Sequence, residues 1–244
     1  MAALFLVLLL GLAAGCLSGV IGTGSSVILL PVLIWQYGPK QAVPIMAVAA
    51  VIANVGRVAA WWKVIDWKAV AAYTIPGMPA AALGARTLLA LPVSVVDAAL
   101  GVFFLCMIGL RRLRAKRAFH IPWWGLSLAG AGVGFLTGVV LSTGPLSVPV
   151  FISYGLSGGA FLGTEAASSL ALYISKVITF RQFGALPVTA LLQGVIIGAS
   201  LMLGAFAGKA VVLRMPPHRF DYLLDALMLC SGVALIWTAI TAHS

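Results

Sequence analysis

The chain has 244 residues, of which 62% are hydrophobic and 8% charged, and it carries 15 Lys and Arg against 5 Asp and Glu. At a mean hydropathy of +1.14 no polar surface can cover it as a globule in water, so lipid must solvate most of it and a soluble enzyme is excluded. The formal charge of +10 does not mark a nucleic-acid binder, because the basic residues sit between apolar spans and not on one face with interleaved aromatics.

Read from the N-terminus, the first charged residue is Lys40. Residues 2–14 resemble the apolar part of a secretory signal, but no basic residue precedes Ala2 and the apolar character runs on through Leu33, which favours a retained first helix. As one helix, Ala2–Tyr37 would be over ~50 Å long against a hydrocarbon core of ~30 Å. A break is therefore expected at Gly22-Thr-Gly-Ser-Ser26, where two glycines weaken the helix and hydroxyls can bond freed backbone groups. Its counterpart in the second half is Leu141-Ser-Thr-Gly-Pro145. Spans are predicted at 2–21, 42–62, 68–89, 93–110, 123–141, 160–180, 185–208 and 220–240, with Trp61, Trp62, Trp67, Trp123 and Trp124 at interfaces. The fold class is thus an all-α polytopic membrane protein of about eight transmembrane helices. Cys16, Cys106 and Cys230 lie singly in apolar runs, and no HExxH, Walker or GxSxG pattern occurs. No catalytic residue, metal or cofactor is expected.

The two halves repeat each other. Gly15-Cys-Leu-Ser-Gly19 matches Gly134-Phe-Leu-Thr-Gly138, each followed by a Gly/Ser/Thr cluster and a proline, Pro31 and Pro149. Ala60-Trp-Trp-Lys63 falls opposite Ile178-Thr-Phe-Arg181, and Leu91-Pro92 with Asp97 and Cys106 falls opposite Met215-Pro216 with Asp221 and Cys230. A duplication follows, with a four-helix unit in 1–110, a basic cytoplasmic loop in 111–122 and a second unit in 123–244. Placing Arg111–Arg117 in the cytoplasm and alternating eight spans puts Lys63, Lys68, Arg181 and both termini inside. Lys40, Arg86, Lys209, Arg214 and Arg219 then lie outside. Each unit begins and ends on one side in this topology, which predicts parallel repeats.

Paired breaks at membrane depth are site candidates, since opened backbone is tolerated only when buried in protein or lining a wet cavity. Exposed amides and the positive end of a following half-helix suit an oxyanion, so Gly22, Thr23, Gly24, Ser25, Ser26, Ser142, Thr143 and Gly144 are candidate substrate contacts. Close helix packing by small residues is the competing use. Arg57 and Lys176 are ionisable residues within spans at nearly equivalent depths and would supply counter-charge, or would snorkel to the nearby interface. Glu165 reads as a helix-start carboxylate, with ion pairing or proton acceptance as alternatives. Asp97 and Asp221 read as helix N-terminal stabilisers, and Asn54, Tyr173 and Gln193 as path-lining or interhelical hydrogen-bonding groups.

At these residues the chain resembles the sulfite exporter TauE/SafE family. Gly22-Thr-Gly-Ser-Ser26 with Pro31, repeated in degenerate form as Ser142-Thr-Gly144 with Pro149, carries the likeness, which extends over nearly the whole chain. The serines depart from the more glycine-rich form of that motif. The resemblance implies a secondary transporter, an exporter of sulfite or a small organosulfonate, in the cytoplasmic membrane. The partners are then a small sulfur oxyanion and the lipid bilayer, with no nucleic acid, and a homo-oligomer is compatible. A passive anion channel, an importer of a related anion such as thiosulfate, and a non-transporting scaffold are the competing readings.

Overall fold

The computed structural model describes residues 9–15, 25–92, 121–140 and 144–212, with single positions at 94–96, 98–99, 102, 105–106, 229, 233, 236–237 and 240. Among them no strand occurs. The helices are α1 (9–15), α2 (Ser25–Tyr37), α3 (Pro39–Trp61), α4 (Trp67–Ala90), α5 (positions within 94–106), α6 (Trp123–Val140), α7 (Gly144–Tyr154), α8 (Gly158–Gln182) and α9 (Val188–Val212). Five of the predicted spans coincide with α3, α4, α6, α8 and α9. Lys40–Val64 is long and apolar enough to cross a membrane, and Trp123–Val139 and Val188–Gly204 are shorter apolar segments. Trp35, Ile75 and Leu128 are largely exposed, as apolar residues facing lipid are and those of a soluble surface in such numbers are not.

Local chemistry sets the boundaries. Gly38, at φ 73°, takes the left-handed conformation that ends α2, and Pro39 opens α3 where a missing N–H costs no helical bond. Asp66 caps α4 by accepting from the backbone N–H of Lys68 and Ala69, both at 3.0 Å. Its own N–H donates to Thr164 Oγ1 at 3.0 Å, tying this turn to α8.

The direction of each helix follows from its neighbours. Trp61, at the end of α3, lies against Gly159 and Gly163 at the start of α8. The first half of α3, Ala42 to Ala50, shares a core cluster with Tyr173 and Phe180 in the later half of α8. α3 and α8 therefore run antiparallel, although the sequence repeat makes them equivalents. The expectation of parallel repeats does not hold. Nor do Lys63, Lys68 and Arg181 share a side: Arg181 ends α8, beside Phe183, which stacks under Arg86 near the end of α4 at 5.1 Å, whereas Lys63 and Lys68 flank the turn between α3 and α4.

α6 and α7 form a hairpin. The Ile121 N–H, just before α6, donates to the Ser153 carbonyl at the end of α7 at 2.8 Å, and Leu126, Phe151 and Phe161 meet in one cluster. The chain thus enters along α6 and returns along α7 to begin α8 on the side it left.

Backbones approach most closely along α4 and α6, which run parallel. Gly130 sits on the Tyr73 backbone, Gly134 on Gly77, and Gly138 on Ala81 and Gly84. α1 lies on α9 in the same manner, with Gly11 beside Ser200 and Gly15 on the Leu201 backbone. Small residues allow such contact, and in lipid the van der Waals gain of close approach drives association.

Candidate anion site

α8 buries a polar stripe. Thr164, Glu165, Ser168, Ser169, Lys176 and Thr179 are all buried in the protein interior, at spacings that keep them on neighbouring positions of the helix surface. In lipid a polar face turns towards protein, where partners exist.

At one end of the stripe Glu165 is held by three donors. Arg57 Nη1 donates to Glu165 Oε2 at 2.9 Å, while Ser169 Oγ and Ser147 Oγ donate to Oε1 at 2.8 and 3.1 Å. The side chains of Arg57 and Glu165 are 13% and 2% exposed. Arg57 Nη2 also bonds Asn54 Oδ1, and Asn54 Nδ2 reaches back to the Ala50 carbonyl at 2.8 Å. Three helices meet here: α3 brings Arg57 and Asn54, α7 brings Ser147, and α8 brings Glu165 and Ser169, while Asp66, the cap of α4, bonds the adjacent Thr164. Glu165 is not a helix-start carboxylate, since α8 begins at Gly158. It is the ion-pair partner of Arg57, and Arg57 is not a bare cation beside a break.

Lys176 lies at the far end of the stripe with 0% of its surface exposed. Its Nζ donates to the Thr137 carbonyl at 2.6 Å and sits 5.4 Å from the centre of the Phe180 ring. An ammonium that snorkelled would reach the interface; this one is turned inward, so the snorkelling alternative fails for Lys176. Thr137 is in the last described turn of α6, where helix carbonyls present partial negative charge. Lys176 thus stands at the end of α6. Glu165 and Lys176 are separated by about 16 Å along α8 at 1.5 Å per residue. The two cations that the sequence sets at matching depths are consequently at opposite ends of the stripe, because their helices run in opposite directions.

The break residues divide. Gly22, Thr23, Gly24, Ser142 and Thr143 lie outside the described residues, as do Asp97 and Asp221. Ser25, Ser26, Gly144 and Pro145 are helical, so these expected parts of the breaks belong to α2 and α7. Serine, and proline in a first turn, suit a helix start, where amides need no intrahelical acceptor. Tyr173 is buried and Gln193 half-buried. Sequence reasoning passed over Ser147, Ser169 and Thr137. Ser169 was signalled by its place one turn after Glu165; Ser147 and Thr137 needed the hairpin. The hydroxyls of Tyr73 and Ser168 are buried with no hydrogen-bond partner among the described residues, and Ser168 lies three residues from Glu165 on α8. Among the described residues no three His, Cys, Asp or Glu side chains converge as a metal site requires.

A family model described as sulfite exporter TauE/SafE matches residues 7–235. The probable membrane transporter protein YjnA of Bacillus subtilis (strain 168) is 26% identical, with the alignment covering 94% of this chain and 98% of that protein. No solved structure matches the chain.

Proposed function

Since the chain belongs to the sulfite exporter TauE/SafE family and its work is membrane transport, we propose that it carries a small sulfur oxyanion, sulfite or an organosulfonate, outward across the cytoplasmic membrane. The observation that carries the anion is Lys176, a buried ammonium whose hydrogen bond goes to the Thr137 backbone carbonyl in the last described turn of α6. A cation kept in a low-dielectric interior gains most from an arriving anion. By their chemistry in the sequence, Ser142, Thr143 and Gly144 in one half, and Gly22, Thr23, Gly24, Ser25 and Ser26 in the other, are the candidate amide and hydroxyl contacts for its oxygens. Direction and the sulfur chemistry rest on the family.

The working frame is a pair of units of inverted topology. The shift that aligns Gly15 with Gly134, and the one that aligns Leu91-Pro92 with Met215-Pro216, also relate the contact of Gly15 with Leu201 to that of Gly134 with Gly77. Antiparallel α3 and α8 then place the pseudo-two-fold axis in the membrane plane, the arrangement of many alternating-access carriers. Lys63, Lys68 and Lys209 fall on one side, which the basic run Arg111–Arg117 precedes in sequence at the start of α6 and Arg214 and Arg219 follow after α9; Lys40, Arg86 and Arg181 fall on the other. By the positive-inside rule the first side is cytoplasmic, and both termini are external, opposite to the expectation from sequence. Alkaline phosphatase fused after Ser244 is expected to be active and a fusion within 111–117 inactive. The reverse pattern overturns this orientation.

Transport itself is tested in liposomes. Sulfite or sulfoacetate flux is expected to saturate and to show counterflow when unlabelled anion is trapped inside. Linear flux without counterflow identifies a channel, and no flux of any sulfur oxyanion removes the transporter reading.

A further inference from the structure

The donors around Glu165 are those an incoming oxyanion would need. A guanidinium nitrogen on one carboxylate oxygen and two serine hydroxyls on the other make a cradle for a small planar or pyramidal anion, and a tethered carboxylate fills it. The unpartnered hydroxyls of Ser168 and Tyr73 are further donors within the same buried region.

Charge accounting decides what must happen for a free anion to use this cradle. Arg57 and Glu165 together are neutral. An anion arriving at Arg57 while Glu165 stays ionised leaves a net negative charge in a low-dielectric interior, at a cost of several kcal/mol. Taking up one proton removes that cost: the carboxylate becomes a neutral acid that still bonds the serines, and Arg57 turns to the anion. The charge of the cradle is zero before and after. Lys176, about 16 Å away along α8, carries no such competitor, since Arg57–Glu165 is the ion pair among the described residues. An anion crossing outward, from the Arg57 end to the Lys176 end, therefore meets one station that takes it together with a proton and one that takes it directly.

We propose that Glu165 is the coupling carboxylate of this transporter: it occupies the anion's place at Arg57, Ser147 and Ser169, and it yields that place on accepting one proton from the open aqueous side. The inference rests on the anion-transport reading. The groups that bond Glu165 from other helices are Arg57 from α3 and the Ser147 hydroxyl from α7, and Tyr73 of α4 packs against Phe151, one turn from Ser147, with ring centres 4.9 Å apart. On its own helix Ser169 bonds it, with Tyr173 and Lys176 further along, and Asp66 caps the start of α4 beside Thr164.

The test is calorimetric binding of methanesulfonate and of ethanesulfonate, monoanions that do not titrate from mildly acidic to mildly alkaline pH, to the purified full chain in buffers of different ionisation enthalpy. One proton is expected to be taken up per anion, and wherever it is taken up affinity falls about tenfold per pH unit. Glu165→Gln keeps the shape and the serine bonds without the charge, so it should bind at alkaline pH as tightly as the parent does at acidic pH, with no proton uptake. Proton-independent binding by the parent, or an unchanged proton count in a folded Glu165→Gln, overturns the proposal while leaving anion transport standing. If the parent binds neither these probes nor sulfite at any pH, anion transport itself is wrong. The buffer comparison on the parent needs no variant, so a Glu165→Gln that fails to fold does not block the test.

Discussion

Lys176→Met should bind sulfite or sulfoacetate about 10- to 100-fold more weakly than the parent, the loss expected for one charge-assisted hydrogen bond of roughly 1.5–3 kcal/mol. The thermal midpoint should barely move. Methionine is close in length, fills the space beside Phe180, and removes a buried charge whose desolvation opposed folding. Against that, the Thr137 carbonyl loses its donor, a cost of about 1–3 kcal/mol. Arg57→Ala behaves differently, because it leaves Glu165 ionised and unpaired in the interior and should destabilise by about 3–5 kcal/mol. Binding and melting of the two purified variants, measured side by side, separate the roles. Equal anion affinity in Lys176→Met and the parent would show that Lys176 serves only to hold the end of α6.

Gly134→Ala should lower stability sharply while Gly132→Ala, two residues away on the same helix, should not. A methyl at Gly134 would collide with the Gly77 backbone of α4, which cannot yield as a side-chain tip can, whereas at Gly132 nothing lies within 4 Å. Overpacking of this kind costs about 1–3 kcal/mol or more. At Gly132 alanine brings only its better helix propensity, worth up to about 1 kcal/mol in water. Thermal unfolding in a mild detergent reads both. Equal midpoints would mean that α4 and α6 are not in backbone contact.

Much of this was open to reading in the chain itself. Long apolar stretches with few charges marked where α3, α4, α6, α8 and α9 run, and the glycine anchors of the two halves are the residues that bring backbones together. The relative direction of the halves was hidden, because an alignment of Gly15 with Gly134 is indifferent to whether the second copy points the same way or the opposite way. The charges did not resolve it either: Arg181 and Lys209 exchange sides when the hairpin of α6 and α7 returns the chain to its starting face, and a hydropathy profile cannot distinguish a hairpin from a crossing. The Arg57–Glu165 pair joins residues in different halves, so no local spacing announces it. The row Thr164, Glu165, Ser168, Ser169 and Lys176 did lie in plain view as a polar stripe on an apolar helix, and its parts were weighed one at a time instead of as a face. At the breaks, helix-starting serines and a first-turn proline were counted with the glycines before them.

The glycine contacts also bear on how the molecule is assembled. α4 of the first half is matched by α6 of the second, and α1 of the first half lies on α9 of the second, so neither half has its own complement of neighbours. A ribosome that has released α4 into the bilayer must still make the basic loop and α6 before the small-residue track of α4 finds its mate, and α1 waits longer still, for α9. Until then these faces offer lipid a shallow, poorly filled surface. Final packing is thus delayed until most of the chain has been synthesised, and two fragments divided at the basic loop would have to be made together, each finishing the other.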